Sequence, residues 1–380
     1  FMKKFLAVLL SAMLLAALLA GCGGSKGAEN TEGQSSEKTE DTKDDGKKPY
    51  IAVVSKGFQH QFWQTVLKGA EDAAKKYDVD ITFEGPPTES DISTQVDMLN
   101  NALSKNPDAI CLAALDTKSV MSQLQETKSK EIPVIGFDSG VPDPPEGSIV
   151  STAATNNVEA GKLAADQLFE QADFNKKIKA ATADNPVVIA VQSQDATSAS
   201  ILDRTNGFID EMKAKCEGLF PDAVEVVGHD VFKKPASKPA AVTIKVTVPP
   251  STSYTDAQSA AQTMLSNTEN LIGYFMSNEA SVTGMLAATS DGTELDRQKG
   301  KYKDLIAVGF DAGKPQKNAV SKQYFYGSVT QDPYNIGYKA IELAYKTIKG
   351  EKVDPIIDTG AKFYTHENMN DEDIAKLLYD

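Results

Sequence analysis

Several side chains that can hydrogen-bond hydroxyl groups occur just after short apolar runs of the sequence. They are Asp138, Ser139, Asn278, Glu279, Asp311 and Gln331. Arg204 adds a guanidinium in an amphipathic stretch between them. Carboxylates, amides and a guanidinium together can bind several hydroxyls at defined angles. A single aspartate at such a position could equally be a helix N-cap, so the recurrence of the pattern is what favours a site for a small polar ligand.

Aromatic and imidazole groups follow the first apolar run of the body, Ile51-Ala52-Val53-Val54. His60, Phe62 and Trp63 lie here, and Trp63 is the only tryptophan of the chain. Flat aromatic faces suit the C–H faces of a pyranose or furanose ring. Phe62 and Trp63 could also be core residues. Combined with the hydroxyl-binding groups, they favour a sugar as the ligand.

The sequence lacks the motifs of the common enzyme classes. No Gly-x-Gly-x-x-Gly follows the first apolar run. The one Gly-x-Ser-x-Gly, Gly23 to Gly27, lies in a polar stretch and not between an apolar run and an amphipathic one, as a nucleophile elbow requires. The histidines, His60, His229 and His366, show no metal-ligand spacing. We therefore expect a binding protein without a metal or cofactor rather than an enzyme.

The net charge and the cysteine content further restrict the class of protein. The formal net charge of −14 argues against nucleic acid as a partner. Cys111 lies in an apolar run and Cys216 about a hundred residues on, so no disulfide is expected. Cys111 is interpreted as a core residue, and Cys216 is assigned to a different domain.

The elements that must position these residues alternate between strands and helices. Apolar runs predict strands at 51–54, 79–83, 109–113, 133–137, 187–191, 224–227, 271–275, 305–310 and 324–329. Amphipathic stretches predict helices at 62–77, 92–103, 116–124, 157–169, 198–214, 256–265, 281–288 and 334–348. Asp116 is the predicted N-cap of the third helix, and Gly350 the residue that ends the last one. Residues 232–250 contain four prolines and are interpreted as a loop or hairpin insertion. The pattern predicts two α/β lobes, each a doubly wound parallel sheet.

The N-terminus has the pattern of a secretory signal. Lys3 and Lys4 precede an apolar or small-residue run that is too short for a stable membrane span. The run ends at Leu19-Ala20-Gly21-Cys22, which resembles the bacterial lipobox. Residues 1–21 are thus a predicted signal peptide and Cys22 a predicted lipidation site. Residues 22–48 are polar and predict a flexible tether reaching about 25–30 Å.

The body of the chain resembles the type I periplasmic sugar-binding proteins, the group of ribose and galactose binders. The resemblance covers about residues 50–350. It lies in Ile51-Ala52-Val53-Val54-Ser55, Phe62-Trp63, Lys68-Gly69-Ala70, Ile132-Pro133-Val134-Ile135-Gly136-Phe137-Asp138, Asp203-Arg204-Thr205-Asn206-Gly207-Phe208, Ser277-Asn278-Glu279, Val308-Gly309-Phe310-Asp311 and Gln331-Asp332-Pro333.

The resemblance implies a fold, a site and partners. The fold would be two lobes joined by a three-strand hinge, lobe one 49–154 plus 332–359 and lobe two 155–331 plus 360–380. Positions matching the sugar contacts of ribose-type relatives are Asp138, Arg204, Asn278, Asp311 and Gln331, with Phe62 and Trp63 stacking on the ring and His60 at a polar contact. The protein would be a monomer that delivers a sugar to an ABC permease and its ATPase outside the cytoplasm.

Two departures from the ribose pattern affect the expected ligand. Ribose binders have Arg where this chain has Ser139, and Asn where it has Ala113. These changes favour a hexose or polyol over ribose. A sensor lipoprotein, or a binder of a nucleoside or furanosyl signal molecule, is also compatible with the sequence. A lac-repressor-type regulator would need a helix-turn-helix where the signal and tether stand.

Overall fold

The structure is a computed structural model that describes residues 47–58 and 60–379. The predicted signal peptide, the Cys22 lipidation site and nearly all of the predicted tether lie outside the described residues. Within the described part, no helix combines the length and apolar character that a bilayer crossing requires.

Strands of the described residues form two sheets. The first has the order β12-β5-β4-β3-β1-β2 and all of its pairs are parallel. Its strands are β1 Tyr50–Val54, β2 Asp80–Glu84, β3 Ala109–Leu112, β4 Val134–Phe137, β5 Ile149–Ala154 and β12 Ile356–Asp358. The second sheet has the order β13-β11-β10-β9-β6-β8-β7, and only β13 runs antiparallel to its neighbour. Its strands are β6 Val187–Gln192, β7 Val224–Val227, β8 Val242–Thr247, β9 Leu271–Met276, β10 Ile306–Phe310, β11 Gly327–Gln331 and β13 Ala361–Thr365.

Helices connect the strands and cover the sheets. They are α1 Gln61–Tyr77, α2 Ile92–Ser104, α3 Met121–Ser129, α4 Asn157–Glu170, α5 Ala172–Lys179, α6 Ala199–Glu217, α7 Tyr254–Ser266, α8 Glu279–Ala288, α9 Lys314–Ser321, α10 Pro333–Ile348 and α11 Glu372–Ala375. Buried aliphatic side chains from both faces of each sheet form the cores under these helices. The predicted architecture of two doubly wound α/β lobes is confirmed.

The chain passes between the two sheets at three places. β5 belongs to the first sheet, and the helix after it, α4, packs on α6 beside the second. β11 belongs to the second sheet, and α10 after it returns to pack on α1. β12 and β13, separated by only two residues, lie in different sheets. The lobe boundaries given above stay a prediction.

Several local predictions differ from the structure. Residues 232–250 are not simply an inserted loop, because β8 lies between β6 and β7 with Val242, Ile244 and Val246 buried. The prolines flank this strand rather than interrupt it, and its buried valines and isoleucine alternate with partly exposed polar residues. β5, β12 and β13 have no counterpart among the predicted strands, and α5, α9 and α11 have none among the predicted helices.

The predicted N-cap Asp116 also differs from the structure. Its carboxylate accepts hydrogen bonds from the backbone N–H groups of Lys118 and Ser119, and it therefore closes a turn. The helix begins later, at Met121. Gly350 has φ 73°, as expected for a residue that ends a helix in the left-handed conformation.

The position of α6 depends on glycine. A Cβ at Gly161 would lie 2.1 Å from the carbonyl oxygen of Arg204, and one at Gly207 would lie 2.2 Å from that of Val158. These distances are far below van der Waals contact, so α4 and α6 can approach this closely only with glycine at both positions. The close approach fixes the depth at which the Arg204 side chain enters the region between the sheets.

Candidate functional site

The polar residues predicted from the sequence meet at the carboxyl ends of the parallel strands. Asp138 follows β4, Asp311 follows β10, and Gln331 ends β11. Ligands of open α/β sheets bind at this edge because the connections there leave a crevice. The two strand-end aspartates share an unusual backbone conformation, with φ 54° at Asp138 and 81° at Asp311. Such strained conformations concentrate at functional sites.

A small polar cavity lies between the two sheets, with about 300 Å³ of space among its lining atoms when open solvent is included. The residues around it are Lys56, His60, Phe62, Trp63, Glu89, Asp138, Ile201, Arg204, Asn278, Glu279, Asp311 and Gln331. Every side chain predicted for the ligand site is in this set except Ser139. Ser139 is buried nearby, and its hydroxyl accepts a hydrogen bond from the backbone N–H of Ser200.

A larger groove of about 950 Å³ opens at the other end of the second sheet. It is lined by Arg297, Tyr324, Tyr326 and His366, near the amino end of β10. The strand-end carboxylates do not reach it, and its volume includes open solvent. The smaller cavity is therefore the better candidate, because polar groups from both lobes converge there.

Lys56 supplies the cation beside the first strand-end aspartate. Its Nζ lies 3.2 Å from Oδ2 of Asp138 and 3.9 Å from Oε2 of Glu89, and it donates to the Ser200 hydroxyl at 3.1 Å. Burial opposes its charge, but the negative charges of Asp138 and Glu89 outweigh burial and raise the pKa of Lys56. Asp138 Oδ2 has this ionic contact but no aligned hydrogen bond. It can therefore accept a hydroxyl donor from a ligand.

Glu89, in the loop between β2 and α2, connects several of these groups. It accepts hydrogen bonds from Nε1 of Trp63 at 2.8 Å and from Nε2 of Gln194 at 3.1 Å. His60 Nε2 lies 3.3 Å from the same carboxylate. Burial favours the neutral acid, yet His60, Lys56 and Trp63 hold the pKa of Glu89 far below its usual range. Glu89 is thus an ionised carboxylate that contacts residues of both lobes.

In the second lobe, Arg204 is held from three directions. Its Nη1 donates to the carbonyl oxygen of Ser277 at 2.6 Å, and its Nε and Nη2 both donate to Oδ1 of Asn157, at 3.1 and 2.8 Å. The guanidinium also lies over the ring of Phe310. Burial lowers the pKa of Arg204, although Asp311 and Asp138 partly oppose this. The cation is therefore fixed in place before any ligand contacts it.

The amide residues of the second lobe combine structural bonds with free acceptors. Gln331 Nε2 donates to Oδ1 of Asp311 at 2.7 Å, while its Oε1 has no hydrogen-bond partner. Asn278 caps α8 by accepting from the Ser281 backbone, and its amide donates to Gln194. A hydroxyl-bearing ligand could donate to Gln331 Oε1 and to Asp138 Oδ2, which belong to opposite lobes.

The aromatic pair lies in the cavity wall and in the core at once. Phe62 and Trp63 meet edge to face, with ring centroids 5.1 Å apart and planes at 90°. Trp63 also packs edge to face on Phe137. Because the two planes are perpendicular, a sugar ring lying flat on one of them meets the edge of the other. Phe62 and Trp63 thus both pack in the core and border the cavity, and their contact with a ligand stays a prediction.

Sequence reasoning missed Lys56, Glu89 and Gln194 as site residues. Lys56 and Gln194 stand two residues after the ends of β1 and β6, so the strand-end rule could have found them. Glu89 lies in a loop with no such signal. Among the described residues, no cluster of histidine, cysteine and acidic side chains has metal-binding geometry, and Cys111 and Cys216 are buried free thiols.

Comparison with known proteins places this architecture in a family. A model described as a periplasmic binding protein domain matches residues 51–352. A solved structure titled ABC transporter, LacI family transcriptional regulator, from Brachyspira murdochii, is 40% identical, with coverage of 88% of this chain and 99% of that chain and a TM-score of 0.71. An ABC transporter solute-binding protein from Agrobacterium vitis, solved with bound D-fucose, is 28% identical, with coverage of 87% and 100% and a TM-score of 0.71.

A curated relative agrees with the structural matches. The D-allose-binding periplasmic protein of Escherichia coli K12 is 22% identical over 309 residues, which are 80% of this chain and 86% of that protein. The family match includes every residue of the cavity and the strands of both sheets up to β11, while β12 and β13 lie beyond it. This chain therefore belongs to the periplasmic binding protein family.

Proposed function

We propose that this protein is an extracytoplasmic solute-binding lipoprotein that captures a monosaccharide, with a hexose or polyol favoured, and delivers it to an ABC importer. Cys22 would carry the lipid anchor, and residues 22–48 would tether the body to the outer face of the membrane. The body would act as a monomer, with the importer's permease and ATPase as its partners. It would bind its ligand without metal, cofactor or chemical turnover.

One observation carries the proposal. Two buried acceptors without a hydrogen bond approach the same small cavity from opposite lobes: Asp138 Oδ2, which has only the ionic contact with Lys56, and Gln331 Oε1. Hydroxyl donors of one ligand would satisfy both, and a buried acceptor left without a donor is costly. The Arg204 guanidinium would donate to ligand oxygens, and the edges and faces of Phe62 and Trp63 would contact the apolar side of a sugar ring.

The relatives support this ligand class. The Agrobacterium vitis protein was solved with D-fucose, a similar protein from Agrobacterium radiobacter was solved with D-arabinose, and the curated relative is named for D-allose. Closure of the two lobes around the sugar would accompany capture, by hinge motion at the three crossings. Contacts such as Glu89 to Gln194 would form on closure.

Titration with sugars tests the proposal directly. Trp63 borders the cavity, so its emission should change when ribose, galactose, glucose, allose, xylose or inositol binds. A saturable response to a hexose or to inositol, lost in Asp311→Ala, is expected. Micromolar binding of ribose with no response to any hexose or polyol would contradict the ligand assignment. No change in Trp63 emission with any of the six compounds would contradict the sugar proposal and favour a nucleoside or signal molecule.

Transport is tested separately. Uptake of the bound sugar should fall when the gene is deleted and recover when the wild-type chain is supplied. The Asp311→Ala variant should not restore uptake. Normal uptake in the deletion strain would favour a sensing role instead.

A further inference from the structure

Two helices at the cleft begin without a capping side chain of their own. At the start of α1, the side chain of His60 makes no hydrogen bond to the first turn. α9 begins after Gly313, which has no side chain to offer. The first amide N–H groups of a helix have no acceptor within the helix, so both ends need acceptors from elsewhere.

Each of the two helices receives its acceptor from the other lobe. In α1, the backbone N–H groups of Gln61 and Phe62 donate to Oε1 and Oε2 of Glu279, at 3.2 and 3.4 Å. In the opposite direction, the backbone N–H of Lys314 in α9 donates to Oε1 of Gln61 at 2.7 Å. α1 follows the first strand of one sheet, whereas α8, which carries Glu279, and α9 follow strands of the other. The two caps therefore cross the cleft in opposite directions.

The two caps meet at Gly313. A Cβ added there would lie 3.1 Å from Cδ and Oε1 of Glu279 and 3.2 Å from Oε1 of Gln61. The backbone of Gly313, at φ −60° and ψ 157°, is open to any residue. A Cβ here would therefore crowd both capping groups by a few tenths of an ångström, while the backbone conformation would not be strained.

We propose that Glu279, Gln61 and Gly313 form a latch that holds the two lobes closed. In this role Glu279 and Gln61 are positioning residues, because they set ligand affinity through the stability of the closed form. The proposal rests on the proposed function only in assuming that closure accompanies ligand capture. Separating the lobes removes the acceptors of both helices in one step, so the two caps should be lost together.

Amide hydrogen exchange of the ligand-free protein, followed residue by residue at fixed pH by NMR, tests this cooperativity. Glu279→Ala should speed exchange at the Lys314 amide, which Glu279 does not contact. Gln61→Ala should speed exchange at the Phe62 amide, whose acceptor is intact. Loss of one cap corresponds to roughly a three- to thirtyfold change in an equilibrium constant. We expect accelerations of that size at the remote amides.

Two further variants test the proposal: Gly313→Ala crowds the caps, and Gln171→Ala is the control. Gly313→Ala crowds both caps without removing either acceptor and should accelerate exchange at Phe62 and Lys314 alike. Gln171 caps α5 within its own lobe by accepting from the Phe174 backbone at 2.7 Å. Gln171→Ala should therefore accelerate exchange at Phe174 and leave the cleft amides unchanged.

Two results would overturn the latch. In the first, each variant accelerates only the amides that its own side chain caps, which would make these two independent local caps. In the second, the Phe62 and Lys314 amides of the wild type exchange as fast as exposed backbone. Since no sugar is present, either result is separate from failure of the sugar titration. With a sugar that does bind, the latch variants should dissociate faster at an unchanged association rate.

Discussion

The guanidinium carbon of Arg204 lies 3.5 Å from the centre of the Phe310 ring, the residue that directly precedes Asp311. The strand that ends in the second-lobe aspartate thus also supplies the surface on which the arginine rests. Flat stacking suits the planar guanidinium and does not suit an ammonium group. Arg204 is consequently held by a ring, a carbonyl and an amide before it meets a ligand.

Arg204→Lys should lower both affinity and stability. Lysine keeps the charge but loses the stack on Phe310 and the paired bonds to Asn157. We expect a loss of about 1–3 kcal/mol in the free energy of unfolding, measured by urea denaturation, and weaker sugar binding by calorimetry. The control Arg297→Lys alters an exposed pair with Asp173 and should change neither. Unchanged affinity and stability in Arg204→Lys would show that a point charge suffices at this position.

Lys56→Met should leave two buried carboxylates without their cation. Methionine has a similar length but removes the cation that faces Asp138 and Glu89. Breaking a buried ion pair costs about 3–5 kcal/mol, so the free energy of unfolding should fall by roughly this amount at pH 7. Adding Asp138→Asn removes one stranded charge and should restore part of the loss in a double-mutant cycle. If the stability losses of the two single variants simply add in the double variant, Lys56 and Asp138 do not act as a pair. Lys48→Met, which removes a cation from an exposed ion pair, serves as the control.

The sequence predicts the strand-end residues well because one physical rule places them. In a parallel sheet all strands end at the same edge, and these edges of the two sheets border one cavity, so Asp138 lies near Asp311 and Gln331 although they are far apart in sequence. Ser139 does not line the cavity with them. Its side chain instead meets the backbone of Ser200 across the cleft.

Contacts between the lobes could not be predicted from local sequence patterns. Glu279, a predicted site residue, lines the cavity, yet its bonds to the first turn of α1 depend on how the two lobes meet. Glu89 joins the site only because its loop reaches Gln194 of the other lobe. Such placements follow from the packing of whole lobes, which hydrophobic periodicity does not encode.

Membrane attachment should depend on Cys22. The lipobox pattern predicts a lipid on this residue, and two acyl chains give stable anchoring where one binds only marginally. Cells expressing wild type should incorporate labelled palmitate into the protein and retain it in the membrane fraction. Cys22→Ala should lose both signals, whereas Cys216→Ala, at a buried thiol, should keep them. Equal labelling or equal membrane retention of wild type and Cys22→Ala would contradict the anchor.

The pair of His60 and Glu89 should make stability depend on pH in one direction. His60 is almost fully buried, and its Nδ1 contacts the Tyr254 hydroxyl at 3.1 Å. Burial lowers the pKa of His60, but the hydrogen bond and charge of Glu89, with smaller effects of Glu279 and Asp311, outweigh it and raise the pKa above 6.5. The folded state therefore binds the His60 proton more tightly than the unfolded state does.

A raised folded-state pKa fixes the sign of the effect. The stabilisation is fully present below pH 6.5, the ordinary value for histidine, and disappears as the pH rises through the raised pKa. Glu89 stays ionised throughout this window because its own pKa is lowered. The difference in unfolding free energy between wild type and His60→Gln should be largest near pH 5.5, at about 1–3 kcal/mol, and shrink toward pH 9. Urea denaturation across this range measures it.

Two further variants separate the ion pair from other contacts of His60. Glu89→Gln removes the charge that raises the pKa of His60, so in that background His60→Gln should give a difference with little or reversed dependence on pH. Tyr254→Phe removes only the hydroxyl contact at Nδ1 and should keep the wild-type pH profile. A His60→Gln difference that stays constant from pH 5.5 to 9, or grows with pH, would mean that His60 is neutral in the folded protein and that the hydroxyl contact, not the carboxylate, determines its role.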